Sequence, residues 1–401
     1  MDAVQLSDCT SADDLLARLA RRADEDARRG RGGWLVGVGA RPEGWRDAVW
    51  PSLARMDEAC RGRPAIAWCF DTHALLASSG ALREAAIHAG TPDPEGGVIV
   101  RERGGELTGV VLESAANRVA GAMPAPTGHQ RREWINAALR ELKSHGFVEV
   151  HDLKAPATLG EDLAILADAG ELDMEVRLYL LLDDLEAAME GAELWERDQV
   201  RLGGAKLFAD GTLNSRTAWM LEPFVDGMPG RERGTPLVTP ADLDEAVQVC
   251  DELGVPLAVH AIGDGAVRAV LDAIERNQPS TLGFRVEHAE VIDEADVPRF
   301  AALGVVASMQ PCHLLYDIEA LRRYLPHRLD RVMPIRELVE AGCEPGDLLW
   351  FGSDVPIVRA NPEDSVRAAV ERRREGMRAE EAIGIGQAIS EHEAWEAFEA
   401  L

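Results

Sequence analysis

AKLFADG at 205–211, AVHAIGDG at 258–265, RVEHAE at 285–290 and FGSD at 351–354 decide the reading of this chain. Each is an apolar, β-prone run that holds or ends in a residue able to bind a metal. Lys206, His260, His288 and Asp354 therefore stand on or near strand ends, separated along the chain by one strand–helix unit or a multiple of it. Side chains collected from the ends of successive strands are how a (β/α)8 barrel builds an active site.

Working outward, GFVEVHD (146–152), EVRLYLLL (175–182), GVVASMQP (304–311) and LLWFGSD (348–354) read as strands of the same kind, beside AKLFAD, PLAVH (256–260) and GFRVEH (283–288). These near-continuous apolar runs alternate with amphipathic helical stretches, the pattern of a parallel sheet covered on its outside. That makes seven strand–helix units from 146 onward, whereas a closed barrel has eight. The expected fold class is α/β, a TIM-like (β/α)8 barrel that lacks its first strand and leaves two sheet edges to be covered. Upstream, the pattern predicts a helix over 10–28, strands at 32–40 and 64–70, a helix over 71–90, and a β-hairpin over 96–113 around Gly104 and Gly105. Residues 1–145 are expected to form N-terminal helices and a small inserted α+β subdomain packed on the barrel, and 146–401 the main barrel.

The 401 residues carry 70 acidic and 42 basic side chains, a formal net charge of -28. Such a field repels nucleic acid and anionic membranes, so neither is expected as a partner. There is no apolar run of 18 and no basic–apolar leader, so neither membrane spanning nor secretion is expected. Cys9, Cys60, Cys69, Cys250, Cys312 and Cys343 are scattered and form no C-x-x-C. That argues against a disulfide scaffold or a zinc knuckle and fits a reducing cytoplasm. A small-molecule substrate is the expected partner, and a homo-oligomer stays open.

The four strand-end residues carry the chemistry. His260 precedes AIGDGAV, whose glycines allow a tight turn into a helix. A neutral imidazole there can face the barrel mouth and bind zinc, or be satisfied as a loop histidine. His288, similarly placed one unit later, favours a metal or substrate role for the pair. Lys206 sits second in an apolar run and is expected to be buried, which disfavours an ammonium. It either snorkels out or pairs with Asp210, or it is carbamylated by carbon dioxide into an anionic oxygen ligand. Asp354 either caps the next helix or takes a proton from a metal-activated water and passes it to a leaving group. Trp219, just past SRTA, walls the pocket or packs, and Trp68 and Phe70 line an apolar surface or the core. GVGA and GIG lack the strand–glycine–helix context of a dinucleotide site.

Taken in order, KLFADG, GTLNSRTA (211–218), HAIGD (260–264), RVEH (285–288), SMQP (308–311) and GSD (352–354) give the chain a specific likeness. With DTH at 71–73 and the GG–TGVV hairpin, it resembles the amidohydrolase superfamily. Within that, it is similar to the YtcJ-like, N-substituted formamide deformylase-type branch (the amidohydrolase 3 family). The resemblance spans nearly the whole chain. It implies a metal-dependent barrel hydrolase that cleaves an amide-like C–N bond through a metal-activated water. It implies carbamylated Lys206, His260, His288 and Asp354 as metal ligands, with Asp354 also the catalytic base. It places His73 and Arg216 near the substrate; by its own position Trp219, just past SRTA, is a further candidate substrate contact, and His313, which follows SMQP, is a substrate contact or a substitute ligand.

The family's His-x-His pair and terminal β-sandwich pieces have no counterpart in this sequence. The surviving set is expected to hold one Zn2+, a second site being weak or absent. Two other readings stay open: a non-catalytic or truncated amidohydrolase-like scaffold, and deaminase or esterase chemistry on the same barrel.

Overall fold

A computed structural model describes residues 3–399 of the chain except 48, 71, 73, 95, 157, 228 and 229. It divides into two compact units, Met1–His129 and Gln130–Leu401.

The first unit is built on a six-stranded mixed sheet in the order β1-β2-β3-β4-β6-β5. Its strands are β1 (Val4–Gln5), β2 (Leu35–Ala40), β3 (Ala65–Cys69), β4 (Ala74–Ala77), β5 (Gly97–Arg101) and β6 (Leu107–Glu113). The first three run parallel, joined through helices α1 (Ala12–Arg28) and α2 (Leu53–Ala59); β4 reverses, and the β5–β6 hairpin completes the sheet. Side chains alternate between two cores, as the period of a strand requires. Leu35, Ala65, Ala67 and Leu76 meet Leu15, Leu19 and Met56 of α1 and α2. Val36, Ile66, Leu75 and Ala77 meet Leu82 of α3 (Ser79–Glu84) and Val119 of α4 (Ser114–Ala120).

The expected helix over 71–90 is corrected here. Ala74–Ala77 is strand β4, and the helix begins only at Ser79, with Ser78 capping it. ALLA is apolar on both faces because helices cover both faces of the sheet, so its periodicity carries no strand signal.

The second unit holds an all-parallel seven-stranded sheet with its strands in chain order. They are β7 (Glu149–Asp152), β8 (Glu175–Leu181), β9 (Val200–Phe208), β10 (Leu257–Ala261), β11 (Arg285–His288), β12 (Val306–Met309) and β13 (Leu349–Phe351). Helix α5 (Gly128–Ser144) precedes β7 and α6 (Leu159–Asp168) follows it. Then come α7 (Leu182–Glu190) and α8 (Ala192–Trp195) after β8, α9 (Pro240–Leu253) after β9, α10 (Asp264–Asn277) after β10, and α11 (Val297–Leu303) after β11. Helices α12 (His313–Tyr324) and α13 (Ile335–Glu340) follow β12, and α14 (Pro362–Glu371) and α15 (Glu391–Glu396) follow β13. Val259, Val286, Ala307 and Leu349 face the helices and form the main core with Val247, Val270, Phe300 and Leu338. The alternate residues face inward. Phe208, His260, Glu287, Ser308 and Trp350 lie in one register row, with Lys206, Ala258 and Arg285 in the next.

The sheet curls into an incomplete barrel. His151 on β7 and Trp350 on β13 belong to its two opposite edges, yet their ring centroids are 6.1 Å apart. The turn after α15 covers part of the β13 edge: Ala397 O accepts the Phe351 N–H at 2.8 Å. Phe398 packs there against Phe147 and Phe351, at 6.4 and 5.8 Å. No helix among the described residues is long and apolar enough to cross a membrane.

The curl needs room inside, and two glycines supply it. The β8–β9 register slips by one residue after Leu178, which leaves Gly203 as the extra residue of a bulge. The Tyr179 ring lies across this place; a Cβ on Gly203 would stand 2.3 Å from it. Gly204 has φ +150°, and a Cβ there would stand 2.1 Å from Pro256 O. Gly204→Ala is therefore expected to lower unfolding stability by about 3 kcal/mol through strain and overlap. A urea titration checks this: the midpoint should fall with little change in slope, and an unchanged midpoint would refute the packing.

Candidate functional site

The inward rows end at the carboxyl ends of the strands, where the backbone departs from ordinary geometry. His288 closes β11 with φ 77°, Ala289 follows with φ 46°, and Asp354 beyond β13 has φ 59°. Left-handed conformations at non-glycine residues cost about 1–3 kcal/mol each and gather at functional sites. Across this turn Glu290 comes beside His288 and beside His313, the first residue of α12.

His288, Glu290 and His313 each offer one donor atom, and the three atoms lie within 4.8 Å of one another. All three residues are buried. His288 Nδ1, Glu290 Oε2 and His313 Nε2 complete no hydrogen bond, although buried polar atoms normally do. Gln310 adjoins His288 without completing a bond to Nδ1. His313 Nδ1 lies 3.5 Å from Glu290 Oε1, and His313 Nε2 lies 3.4 Å from Asp354 Oδ2. Two imidazoles and a carboxylate, buried together, form a nitrogen and oxygen donor set able to hold one divalent metal ion.

The sequence-derived residues surround this group. The His260 and His288 ring centroids are 4.5 Å apart, and those of His288 and His313 5.5 Å. His260 Nε2 lies 3.2 Å from Gly211 O and 3.6 Å from Asp210 Oδ1. Lys206 Nζ stands 5.0 Å from the Phe208 ring centroid, inside the curl. Asp210 accepts the backbone N–H groups of Ile262, Gly263 and Trp219 at 3.0, 2.9 and 2.8 Å, which fixes the turn from β10 into α10.

Burial sets most of the protonation states here. It brings Lys206 down to about 8, against the pull of Glu287. It brings His260 down to about 4, helped by the Lys206 charge, and holds His288 well below the ordinary histidine value. It raises Asp210 to about 7 and raises Asp354. His313 goes the other way. Burial would lower it, but the hydrogen bond and charge of Glu290, with Asp354 and Asp317, outweigh burial and raise it above 6.5.

The loop residues Arg216 and Trp219 stand in the 211–238 strap. Arg216 donates to Asp226 O at 2.6 Å, and its guanidinium lies 5.0 Å from the Tyr324 ring centroid. It thereby staples the 211–238 strap to α12, as Asn214 does by donating to Asp317. The Trp219 carbonyl accepts the Gly265 N–H at 2.9 Å, and its indole lies against Gly265 at the start of α10. His73 lies outside the described residues. In the first unit Phe70 is half exposed under the Arg41 guanidinium, 4.3 Å from the ring centroid, and Trp68 is partly buried against that unit's core.

Reading the sequence did not single out Glu290 or Glu287, although both stand in the quoted RVEHAE. Glu290 follows His288 by two positions; the signal available was a carboxylate immediately beyond a strand-end histidine.

The amidohydrolase family profile matches residues 1–398. The protein LONG AFTER FAR-RED 3 of Arabidopsis thaliana is 31% identical over 382 residues, covering 90% of this chain and 64% of that protein. The N-substituted formamide deformylase of Arthrobacter pascens is 24% identical over 360 residues, covering 85% of this chain and 65% of that enzyme. The chain thus spans a little under two thirds of the length of each. A crystal structure of an uncharacterized metal-dependent hydrolase from Pyrococcus furiosus superposes with a TM-score of 0.75 at 26% identity, covering 98% of this chain and 76% of that one. With the family profile matched from end to end over this fold and donor set, the chain belongs to the amidohydrolase family.

Proposed function

We propose that this protein is a metal-dependent hydrolase that cleaves an amide-like C–N bond in a small molecule. The observation that carries the reading is the convergence of one donor atom each from buried His288, Glu290 and His313 to within 4.8 Å of one another. Family membership and the metal-dependent hydrolase of similar fold support it. The A. pascens deformylase supports an amide substrate. His288, Glu290 and His313 would hold one divalent cation; the two-imidazole, one-carboxylate set favours zinc. A bound cation supplies Lewis acidity, which acidifies water and polarises a carbonyl.

This chain's own groups do the rest. His260 and His288, kept neutral by burial, present lone pairs rather than charge. Asp354, whose affinity for a proton is raised by burial, takes the water proton and delivers it to the leaving nitrogen. Lys206 is assigned as a carbamate: the neutral amine attacks carbon dioxide, a C–N bond forms and one proton leaves. With its affinity for the proton at about 8, roughly half of the amine is neutral at pH 8, against under about 1% for an ordinary lysine. The net charge of -28 disfavours nucleic acid as a partner. Six buried free thiols fit the cytoplasm as its compartment.

Metal analysis of the purified chain tests the reading directly. About one zinc per chain is expected, with hydrolysis of N-substituted amides. His288→Ala and Glu290→Gln should each weaken metal binding by more than the roughly 10–100-fold that outer-shell changes cost. A chain that takes up no metal at saturation would instead support a non-catalytic scaffold. Turnover of esters or of heterocyclic amines without turnover of amides would move the reading to the corresponding chemistry.

The pH dependence has a definite sign. Below its raised value His313 holds a proton that a cation must displace, whereas His260 and His288 are already neutral at pH 6. Metal binding near pH 6 should release about one proton, and affinity should fall about tenfold per pH unit as the pH drops through the His313 value. Calorimetry in buffers of different ionisation enthalpy measures this, and His313→Gln should abolish the release. For Lys206, 13C-labelled bicarbonate should give a carbamate carbon signal that Lys206→Gln removes; a spectrum identical in both proteins would refute the carbamate.

A further inference from the structure

Arg285 lies inside the curl, 2% exposed, and is absent from the proposed chemistry. From β11 it reaches three other strands. Its Nη1 donates to His151 Nδ1 on β7 at 2.8 Å. Its guanidinium carbon lies 4.2 Å from the Tyr179 ring centroid on β8 and 5.5 Å from the Trp350 ring centroid on β13. On its own strand, Nε lies 2.7 Å from Glu287 Oε1. Strands β7 and β13 are the two edges of the sheet, and their backbones are not paired with each other. Among the described residues, Arg285 therefore touches a side chain from each side of the open seam.

Both ends of this contact lead toward the metal-capable group. Glu287 Oε2 accepts the Ser308 hydroxyl at 2.6 Å and the Gln310 amide at 3.4 Å, and Gln310 adjoins His288. Trp350 stands four residues before Asp354, which contacts His313. On the far side, His151 Nε2 lies 2.9 Å from Glu149 Oε1, which also accepts from Arg177 at 3.0 Å.

We propose that Arg285 is a positioning residue that ties the two edges of the open sheet across the seam and thereby sets the spacing of His288, His313 and Asp354. The role in positioning rests on the metal centre proposed above. The guanidinium suits it because one planar group can donate along its edge while lying against the Tyr179 and Trp350 rings; a compact ammonium cannot do both across this span. The plain rival is a local ion pair, in which Arg285 does no more than neutralise buried Glu287. The two differ in what rescues a loss. Replacing a buried pair by neutral groups of similar shape is often harmless, whereas removing one member is not.

The test uses the whole chain, with hydrogen–deuterium exchange and Co2+ titration followed by its visible absorption. In Arg285→Lys, Arg285→Met and the double variant Arg285→Met with Glu287→Gln, peptides covering 147–152 and 347–352 are expected to exchange faster. Peptides from α9 and α10 should be unchanged, and Co2+ affinity should fall about tenfold. Wild-type exchange at both edges with wild-type Co2+ binding in the double variant, or full rescue by lysine, would overturn the proposal. If the arginine variants fail to fold, His151→Phe and Trp350→Leu each cut one tether. Faster exchange at both edges in either supports the proposal, and unchanged exchange in both overturns it. Wild-type protein that binds no Co2+ would refute the metal centre, while the exchange readout, which needs no metal, would still decide whether Arg285 holds the seam.

Discussion

The site depends on ionisable side chains that have left water together. Lys206, Asp210, His260, Arg285, Glu287, His288, Glu290 and His313 are all buried, and a charge in that setting is tolerated only with compensation. Backbone and register arrange it. Asp210 is held by three N–H groups. Glu287 is held by Arg285, Ser308 and Gln310. His313 stands between Glu290 and Asp354. Among the buried atoms left without a hydrogen bond, His288 Nδ1, Glu290 Oε2 and His313 Nε2 belong to the three residues whose donor atoms come together. The low dielectric that makes unmet donors costly also strengthens the field of any cation that meets them.

The parallel sheet was legible because its outer face is continuously apolar. Val259, Val286, Ala307 and Leu349 pack under helices, and the inward residues beside them are the ones that break the apolar run: Lys206, His260, Glu287, His288. A lysine or histidine at such a position is informative because nothing in packing asks for it. The ligand geometry was less legible. Glu290 reaches the site only because His288 and Ala289 adopt left-handed backbone, which L-residues rarely adopt and no local sequence pattern announces. The sequence offers His313 as a substrate contact or a substitute ligand; that it opens α12 beside Glu290 is a consequence of tertiary packing. Arg216 and Trp219 show the same limit. Both lie in the strap, and their partners, Asp226, Tyr324 and Gly265, are chosen by how the strap folds back.

Closure of the sheet was the least legible feature of all. Strand count alone predicts two open edges. The residues that bring those edges together, His151, Tyr179, Arg285 and Trp350, are spread over four strands. Each reads locally as an ordinary strand residue. Gly203 and Gly204 read as weak points of a strand, when they are the space into which Tyr179 fits.

Hydrogen bonding in the site already selects which nitrogen each imidazole offers. His260 Nε2 donates to Gly211 O, so its lone pair is on Nδ1. His313 directs Nδ1 at Glu290 Oε1 and Nε2 toward Asp354 Oδ2. Fixing the tautomer in this way is how outer partners prepare a metal-ligating histidine. Glu290 has both duties at once, one oxygen orienting His313 and the other facing the shared space. The remaining question is charge. A dication beside an ammonium at Lys206 would be opposed by it, and Arg285 already stands in the same register row. Burial has brought Lys206 down to about 8 before any cation arrives, and an arriving cation lowers its proton affinity further. Cation binding and loss of the Lys206 proton therefore favour one another.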